Sequence, residues 1–284
     1  MKDIVAKVFN PSFRAVITSG LRCSLEAQRR FSITDLSLMK ETHLIISAAM
    51  LLNGLYDGES KLRLTSEHVK DVHGIDYYYR LYSEILGGKA LRAYGTKEEM
   101  LDGDEAPAGF FHVKRQLKGA TTWQTSTLKL KNEARGFLSD DLQSYLEYSD
   151  QIKSYVYINS SFSNLPQDKS TGLALVIQKL PGTEDAELKE AFDTALSSPH
   201  LKALEDDFSF EGVRELFPNT ESELSSISYQ CTCSKQTVIE HLVSGGKEAL
   251  QEMQNQGQSV TCMMCNEVYT FADKELGALL KKVQ

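Results

Sequence analysis

Four cysteines, arranged as Cys231-Thr232-Cys233 and Cys262-Met263-Met264-Cys265 with 28 residues between the pairs, restrict what the C-terminal part of this 284-residue chain can become. Two close pairs reach one tetrahedral centre when the chain between them folds back. Four thiolates at about 2.3 Å suit zinc. The Cys-x-x-Cys half has the usual knuckle spacing. The Cys-x-Cys half is tighter, whereas an ordinary zinc ribbon uses Cys-x-x-Cys twice. Between the pairs, Ser234 is placed to cap a helix striped by Val238, Ile239, Leu242 and Val243, which Gly245-Gly246 ends. Leu250 and Met253 suggest a further turn or two, stopped at Gly257, and Val268-Tyr269-Thr270-Phe271 reads as a short strand after the knuckle. So few apolar groups do not hold a module this small without a metal or disulfides.

The same pattern carries redox chemistry. Thiolate is the species oxidants attack, and zinc keeps cysteine deprotonated. Oxidation removes ligands and expels the metal. From spacing alone an inert structural zinc site and a redox switch both remain open. The fifth cysteine, Cys23, reads as an ordinary buried or half-buried thiol. Of the six histidines, His241 is nearest the cysteines, but its helical spacing puts it beside the apolar face rather than at the metal.

Upstream the pattern is mixed. Residues 1–180 read as an α+β core domain in which helices cover a sheet. Strand-like runs occur at Arg14–Thr18, Lys61–Thr65, Val113–Gly119, Thr127–Lys131, Tyr155–Ile158 and Leu173–Ile177, the last apolar enough for burial on both faces. A helix opens at Asp35, with Leu38, Thr42, Ile45, Ala49 and Leu52 on one face and Gly54 as its stop; Tyr56-Asp57-Gly58 reads as a turn. Leu138, Leu142, Tyr145 and Leu146 mark a second helix, with Ser139 as N-cap. Tyr77, Tyr78, Tyr79 and Tyr82 fit strand or helix, and core better than a stacking platform. After Pro181-Gly182 the pattern turns helical: a stripe from Leu188 to Leu196, Ser198-Pro199 as cap and first helical residue, and a third stripe at Phe210, Val213 and Phe217. The organisation expected is thus a core domain (1–180), an acidic helical linker (181–230) and a zinc-binding module (231–284).

Charge narrows the function. Residues 181–230 carry 3 Lys/Arg against 12 Asp/Glu, while residues 231–284 hold 5 lysines and no arginine. An acidic chain without a basic stripe is poorly suited to the phosphate backbone, which ranks a zinc-ribbon nucleic-acid module low. A thiol–disulfide oxidoreductase would place Cys-x-x-Cys at a helix start inside a βαβ unit; here it lies between two strand-like runs. There is no Ser/His/Asp triad, P-loop or dinucleotide fingerprint. No apolar run approaches the roughly 20 residues of a membrane span. The N-terminus lacks the layout of a secretory signal, so the chain reads as cytosolic, with an organelle as the lesser option.

At this point the sequence resembles a known family. Tyr229-Gln230-Cys231-Thr232-Cys233-Ser234 and Val260-Thr261-Cys262-Met263-Met264-Cys265-Asn266-Glu267-Val268-Tyr269-Thr270-Phe271 are similar to the redox-regulated 33-kDa heat-shock chaperones. That family carries Cys-x-Cys and Cys-x-x-Cys about thirty residues apart, then an aromatic-x-aromatic strand. Phe137–Gln151 resembles its helix ending in Ser-Glu-Gln, and Gly172–Pro181 its apolar strand ending in Gln-x-Leu-Pro. Lys153 stands where the family usually has proline, and Thr171 where it usually has glycine. The resemblance implies an ATP-independent holdase rather than an enzyme. It implies one Zn2+ on Cys231, Cys233, Cys262 and Cys265 when reduced, and disulfides Cys262–Cys265 and Cys231–Cys233 on oxidation. Metal loss, unfolding of the linker, binding of unfolding client proteins and formation of a homodimer would then follow.

Overall fold

The structure, a computed structural model, describes residues 2–56, 61–101, 105, 107–130, 139–164, 169–255 and 258–281. The chain separates into two compact units, Met1–Tyr229 and Gln230–Gln284.

The first unit is built on one ten-stranded sheet. Its strands are β1 (Lys2–Phe9), β2 (Phe13–Thr18), β3 (Lys61–Val72), β4 (Ile75–Leu86), β5 (Ala90–Glu99), β6 (Phe110–Gln116), β7 (Gln124–Lys129), β8 (Ser154–Ser161), β9 (Thr171–Lys179) and β10 (Glu221–Tyr229). They lie in the order β7-β6-β3-β4-β5-β10-β1-β2-β9-β8. Neighbours are antiparallel except β5 and β10, which run parallel through Ser228↔Ala90 and Tyr229↔Leu91. The hairpin β3–β4 turns at His73-Gly74, both with positive φ (59° and 85°). Such a turn matches the twist of its strands, and the tyrosine run therefore lies in a strand. Tyr79 is fully buried and stacks on His68, while buried Tyr82 stacks on Tyr94, so these two serve the core and Tyr77 and Tyr78 are half-buried.

Helix α1 (Leu21–Phe31) precedes α2 (Leu36–Leu55), which Asp35 caps by accepting the Leu38 N–H at 2.8 Å. The single apolar face read for α2 understates its burial. From Glu41 onward every residue but half-buried Leu44 is buried, with Ile45, Ile46, Met50 and Leu51 at zero exposure. Gly54 does not stop the helix but lies within it. A Cβ there would collide with Val16 of β2, so glycine permits close helix–sheet packing. Helix α3 (Ser139–Tyr145) runs into a π-helical turn, Leu146–Asp150. The other readings at Asp57-Gly58, Lys131, Leu138 and Gly257 lie outside the described residues.

Three short helices lie between β9 and β10: α4 (Asp185–Ser197), α5 (Pro199–Asp206) and α6 (Phe210–Leu216). Ser198 caps α5 through the His200 N–H (3.2 Å), and Ser209 caps α6 through the Gly212 N–H (3.1 Å). Their apolar stripes, including Leu188, Phe192, Leu201 and Leu204, pack with Ala15, Ile17, Leu173, Leu175 and Ile177 from β2 and β9. Val16 pairs with Val176 and points to α2, so β2 and β9 are sandwiched between helices. That explains the unbroken apolar run in β9. The helical reading of residues 181–230 fails at its end. Residues 221–229 form β10, which pairs with β1 over its whole length because Leu224-Ser225-Ser226-Ile227 continues the sheet by backbone bonding rather than by an apolar face.

The second unit contains α7 (Lys235–Ser244), α8 (Gly246–Asn255), a hairpin of β11 (Ser259–Thr261) and β12 (Val268–Thr270), and α9 (Asp273–Leu280). Its core is Leu250, Met253, Phe271, Leu276 and Leu279, with partly buried neighbours on α7 and the hairpin. No residue of α7 is fully buried. Among the described residues no helix is long and apolar enough to cross a membrane.

Candidate metal centre

The hairpin shapes half of the site. Its strands pair Ser259↔Thr270, Val260↔Tyr269 and Thr261↔Val268. Between them, the Cys262 N–H donates to the Glu267 carbonyl (2.8 Å) and the Asn266 N–H to the Cys262 carbonyl (2.8 Å). Asn266 takes a left-handed conformation, φ 58°, which asparagine tolerates better than most side chains. The tight turn brings the Cys262 and Cys265 sulfurs to one side, and the Glu267 N–H bonds to the Cys265 sulfur.

The other half comes from the irregular segment before α7. Ser234 caps that helix by accepting the Thr237 N–H at 3.1 Å, which fixes where the segment holding Cys231 and Cys233 enters it. The halves meet sulfur to sulfur: Cys231 Sγ lies 3.8 Å from Cys262 Sγ, and Cys233 Sγ lies 3.3 Å from Cys265 Sγ. All four sulfurs lie within 4.8 Å of one another. A tetrahedral centre with bonds of about 2.3 Å spaces its sulfurs by about 3.8 Å. The four residues singled out from the sequence therefore fit a metal ion, and among the described residues they form the one such group.

The electrostatics point the same way. Burial pushes the Cys265 thiol up, reinforced by the Cys233 and Cys262 thiols beside it, and only the Glu267 N–H opposes the rise. Burial likewise raises Cys233, against the Tyr269 hydroxyl and Cys265. The surrounding protein thus disfavours clustered thiolates, and a central cation reverses that preference. Tyr269, which the sequence reading placed only as strand, donates its hydroxyl to Cys233 Sγ at 3.1 Å, and its own proton is held more tightly because of that bond. Its position one strand-length from the knuckle was the available signal. His241 is exposed on α7 and outside the cluster. Cys23 is fully buried on α1, its thiol pushed up by burial and by Asp3, which accepts its backbone N–H at 2.8 Å.

Comparison with known proteins adds the following. The sequence pattern of the family described as Hsp33 protein matches residues 8–272. The "33 kDa chaperonin" of Syntrophotalea carbinolica is 24% identical, covering 99% of this chain and 100% of that protein. The "33 kDa chaperonin" of Thermodesulfovibrio yellowstonii is 30% identical, covering 73% and 72%. The crystal structure of a 33 kDa chaperonin from Thermotoga maritima superposes with a TM-score of 0.74 at 21% identity, covering 99% of this chain and 98% of that one, a likeness of fold.

Proposed function

The chain belongs to the Hsp33 family of chaperones, and from that premise we propose that it is a redox-regulated holdase, held inactive when reduced by one zinc ion on Cys231, Cys233, Cys262 and Cys265. The observation that carries this reading is the convergence of the four sulfurs in a small unit whose core cluster, among the described residues, has five buried side chains. Bound zinc would supply the positive charge that keeps the four clustered cysteines, three half-buried and Cys265 buried, ionised, and with it most of the unit's folding energy.

The protein's own steps follow from the sulfur pairs. Hydrogen peroxide takes two electrons from the Cys262 and Cys265 thiolates: one S–S bond forms, the O–O bond breaks, and the two hydroxides take up two solvent protons as water; a second equivalent does the same at Cys231 and Cys233. Sulfurs in a disulfide are no longer thiolates and cease to be ligands. Pairing within each half has a further consequence. In the reduced state two sulfur contacts run between the halves, at 3.8 and 3.3 Å. Disulfides within the halves leave no sulfur link between the hairpin and the segment before α7, so the unit loses its tie. Disulfides between the halves would staple it shut.

The client surface is the next step. Within residues 181–230, read as the metastable, acidic linker, α4, α5 and α6 are only 13, 8 and 7 residues long and keep their apolar stripes covered by docking on the sheet, and such short helices are marginal alone. Their undocking bares Ala15, Ile17, Leu173, Leu175 and Ile177, a contiguous apolar sheet face of the kind that captures exposed hydrophobic segments. Unfolding proteins are the partners, the active form is a homodimer, and the site of action is the cytosol. In this reading the domains are 1–180, 181–230 and 231–284, and the protein is not an enzyme.

The test is one sample of zinc-loaded protein treated with peroxide at elevated temperature, with metal release and suppression of aggregation of an unrelated unfolding protein followed together. Both should appear together, and peptide mapping should find Cys262–Cys265 and Cys231–Cys233. Metal release without suppression reduces the chain to a structural zinc protein; turnover of insulin disulfides would identify an oxidoreductase.

A further inference from the structure

Tyr269 joins the two halves of the sulfur cluster without being a ligand candidate. It sits on β12 opposite Val260, and its half-buried ring packs with the small core of the second unit. Its hydroxyl donates to Cys233 Sγ at 3.1 Å, while Cys233 Sγ lies 3.3 Å from Cys265 Sγ of the hairpin. The phenol therefore reaches from the Cys-x-x-Cys hairpin to the Cys-x-Cys segment. The hairpin's own donor, the Glu267 N–H, serves Cys265.

We infer that Tyr269 is a positioning residue that holds the Cys233 sulfur in the cluster and slows its attack on oxidants, and so helps set the oxidant threshold of the switch. This inference rests on the zinc-switch reading above. An O–H···S bond draws electron density from the sulfur lone pair that would otherwise attack. The step it slows is the displacement at peroxide: the Cys233 sulfur takes one oxygen to become a sulfenic acid, the O–O bond breaks, and hydroxide leaves. The sulfenic acid then condenses with the Cys231 thiol, forming S–S and releasing water. The same bond orients the sulfur toward the centre, as outer hydrogen bonds do for metal ligands generally.

Tyr269→Phe removes the hydroxyl and keeps the ring in the core. In full-length protein loaded with Co2+ as the probe, sulfur-to-metal charge-transfer absorption reports directly on the sulfur lone pairs. Loss of the hydrogen bond raises those lone pairs, so the band should shift to longer wavelength. Metal affinity should fall about tenfold or more, and peroxide-driven Zn2+ release from the zinc-loaded variant should quicken. An unshifted band overturns the inference, even if release is faster, because a purely structural effect would leave the band in place. If the wild-type protein binds neither metal, the zinc-switch reading fails instead, which separates the two failures.

Discussion

Helix α2 and helix α7 show how differently the two units are held. Of the 20 residues of α2, 15 are buried, among them fully enclosed Ile, Met and Leu side chains under a ten-stranded sheet. Helix α7 has 10 residues and none fully buried. Each large apolar side chain enclosed contributes about 1.5–3 kcal/mol, so the first unit has ample apolar burial. The second, 55 residues long, has five buried residues in its core cluster among those described, and lies in the size range where domains are marginal without a metal or disulfides. One unit is specified by its core, and the other is held at a point. A sensor belongs on the second, because removing one small set of bonds there changes everything, whereas no single bond governs the first.

The largest test of that contrast is metal removal. A chelator, with thiols kept reduced, should unfold residues 230–284 and leave the sheet of residues 1–229 intact, because structural zinc sites supply roughly 10–16 kcal/mol of apparent binding energy. Hydrogen exchange should show full loss of protection in α7 to α9 and unchanged protection in β3, β4 and β9. A tail that keeps its protection after demetallation would break the comparison. Cys265→Ser should behave like the chelated protein.

Next in size is Phe192→Ala in α4. Phe192 stacks on Tyr155 with ring centroids 5.2 Å apart and anchors the helices over β9. Removing a buried aromatic costs about 3–5 kcal/mol. Here the cost falls on the docking of α4, so the reduced, metal-loaded variant should suppress client aggregation without oxidant. Phe192→Ala protein that stays inactive until oxidised would show that α4 is not the cover of the client surface.

A third test concerns acid. His43 is completely buried on α2 between the Ser24 and Ser47 hydroxyls, and burial lowers its pKa to about 4. Unfolded, it takes a proton near pH 6.5. Between those values the unfolded chain binds the extra proton, so stability falls as pH drops from about 6.5 to about 4, by about 3 kcal/mol in all. His68, lowered to about 3 by burial and then by Lys70, adds to the same trend. Denaturant melts of the first unit should show this slope, and His43→Gln should flatten it by about one proton.

Much of this contrast is legible in the sequence, for physical reasons that differ by region. The four ligand candidates are visible because metal sites need particular atoms at short spacing. Strand β9 is visible because burial on both faces leaves an unbroken apolar run. Strand β10 is not, since Glu221–Ser226 is mostly exposed and held by backbone pairing to β1, which leaves no side-chain period. The β3–β4 hairpin was obscured by reading Tyr77–Tyr82 without its turn; His73-Gly74 carries the signal. Gly54 looked like a helix stop because close approach to Val16 is a tertiary fact. Tyr269 acquires its role only once two segments 36 residues apart are brought together.

The smallest test compares two serines with the same local job. Ser234 caps α7 and Ser198 caps α5, each by accepting a backbone N–H. Replacing either with alanine costs about 1 kcal/mol of helix stability. In the second unit folding and metal binding are one equilibrium, so Ser234→Ala should weaken zinc affinity about fivefold, the factor that 1 kcal/mol represents. Ser198→Ala makes the same local loss in a unit whose fold does not depend on the metal, and should leave zinc affinity unchanged while lowering the melting point of the first unit slightly. Competition with a chromogenic chelator measures both. Equal shifts in the two variants would mean that the units fold as one body, and a zinc affinity indifferent to Ser234 would mean that the tail is already ordered before the ion arrives.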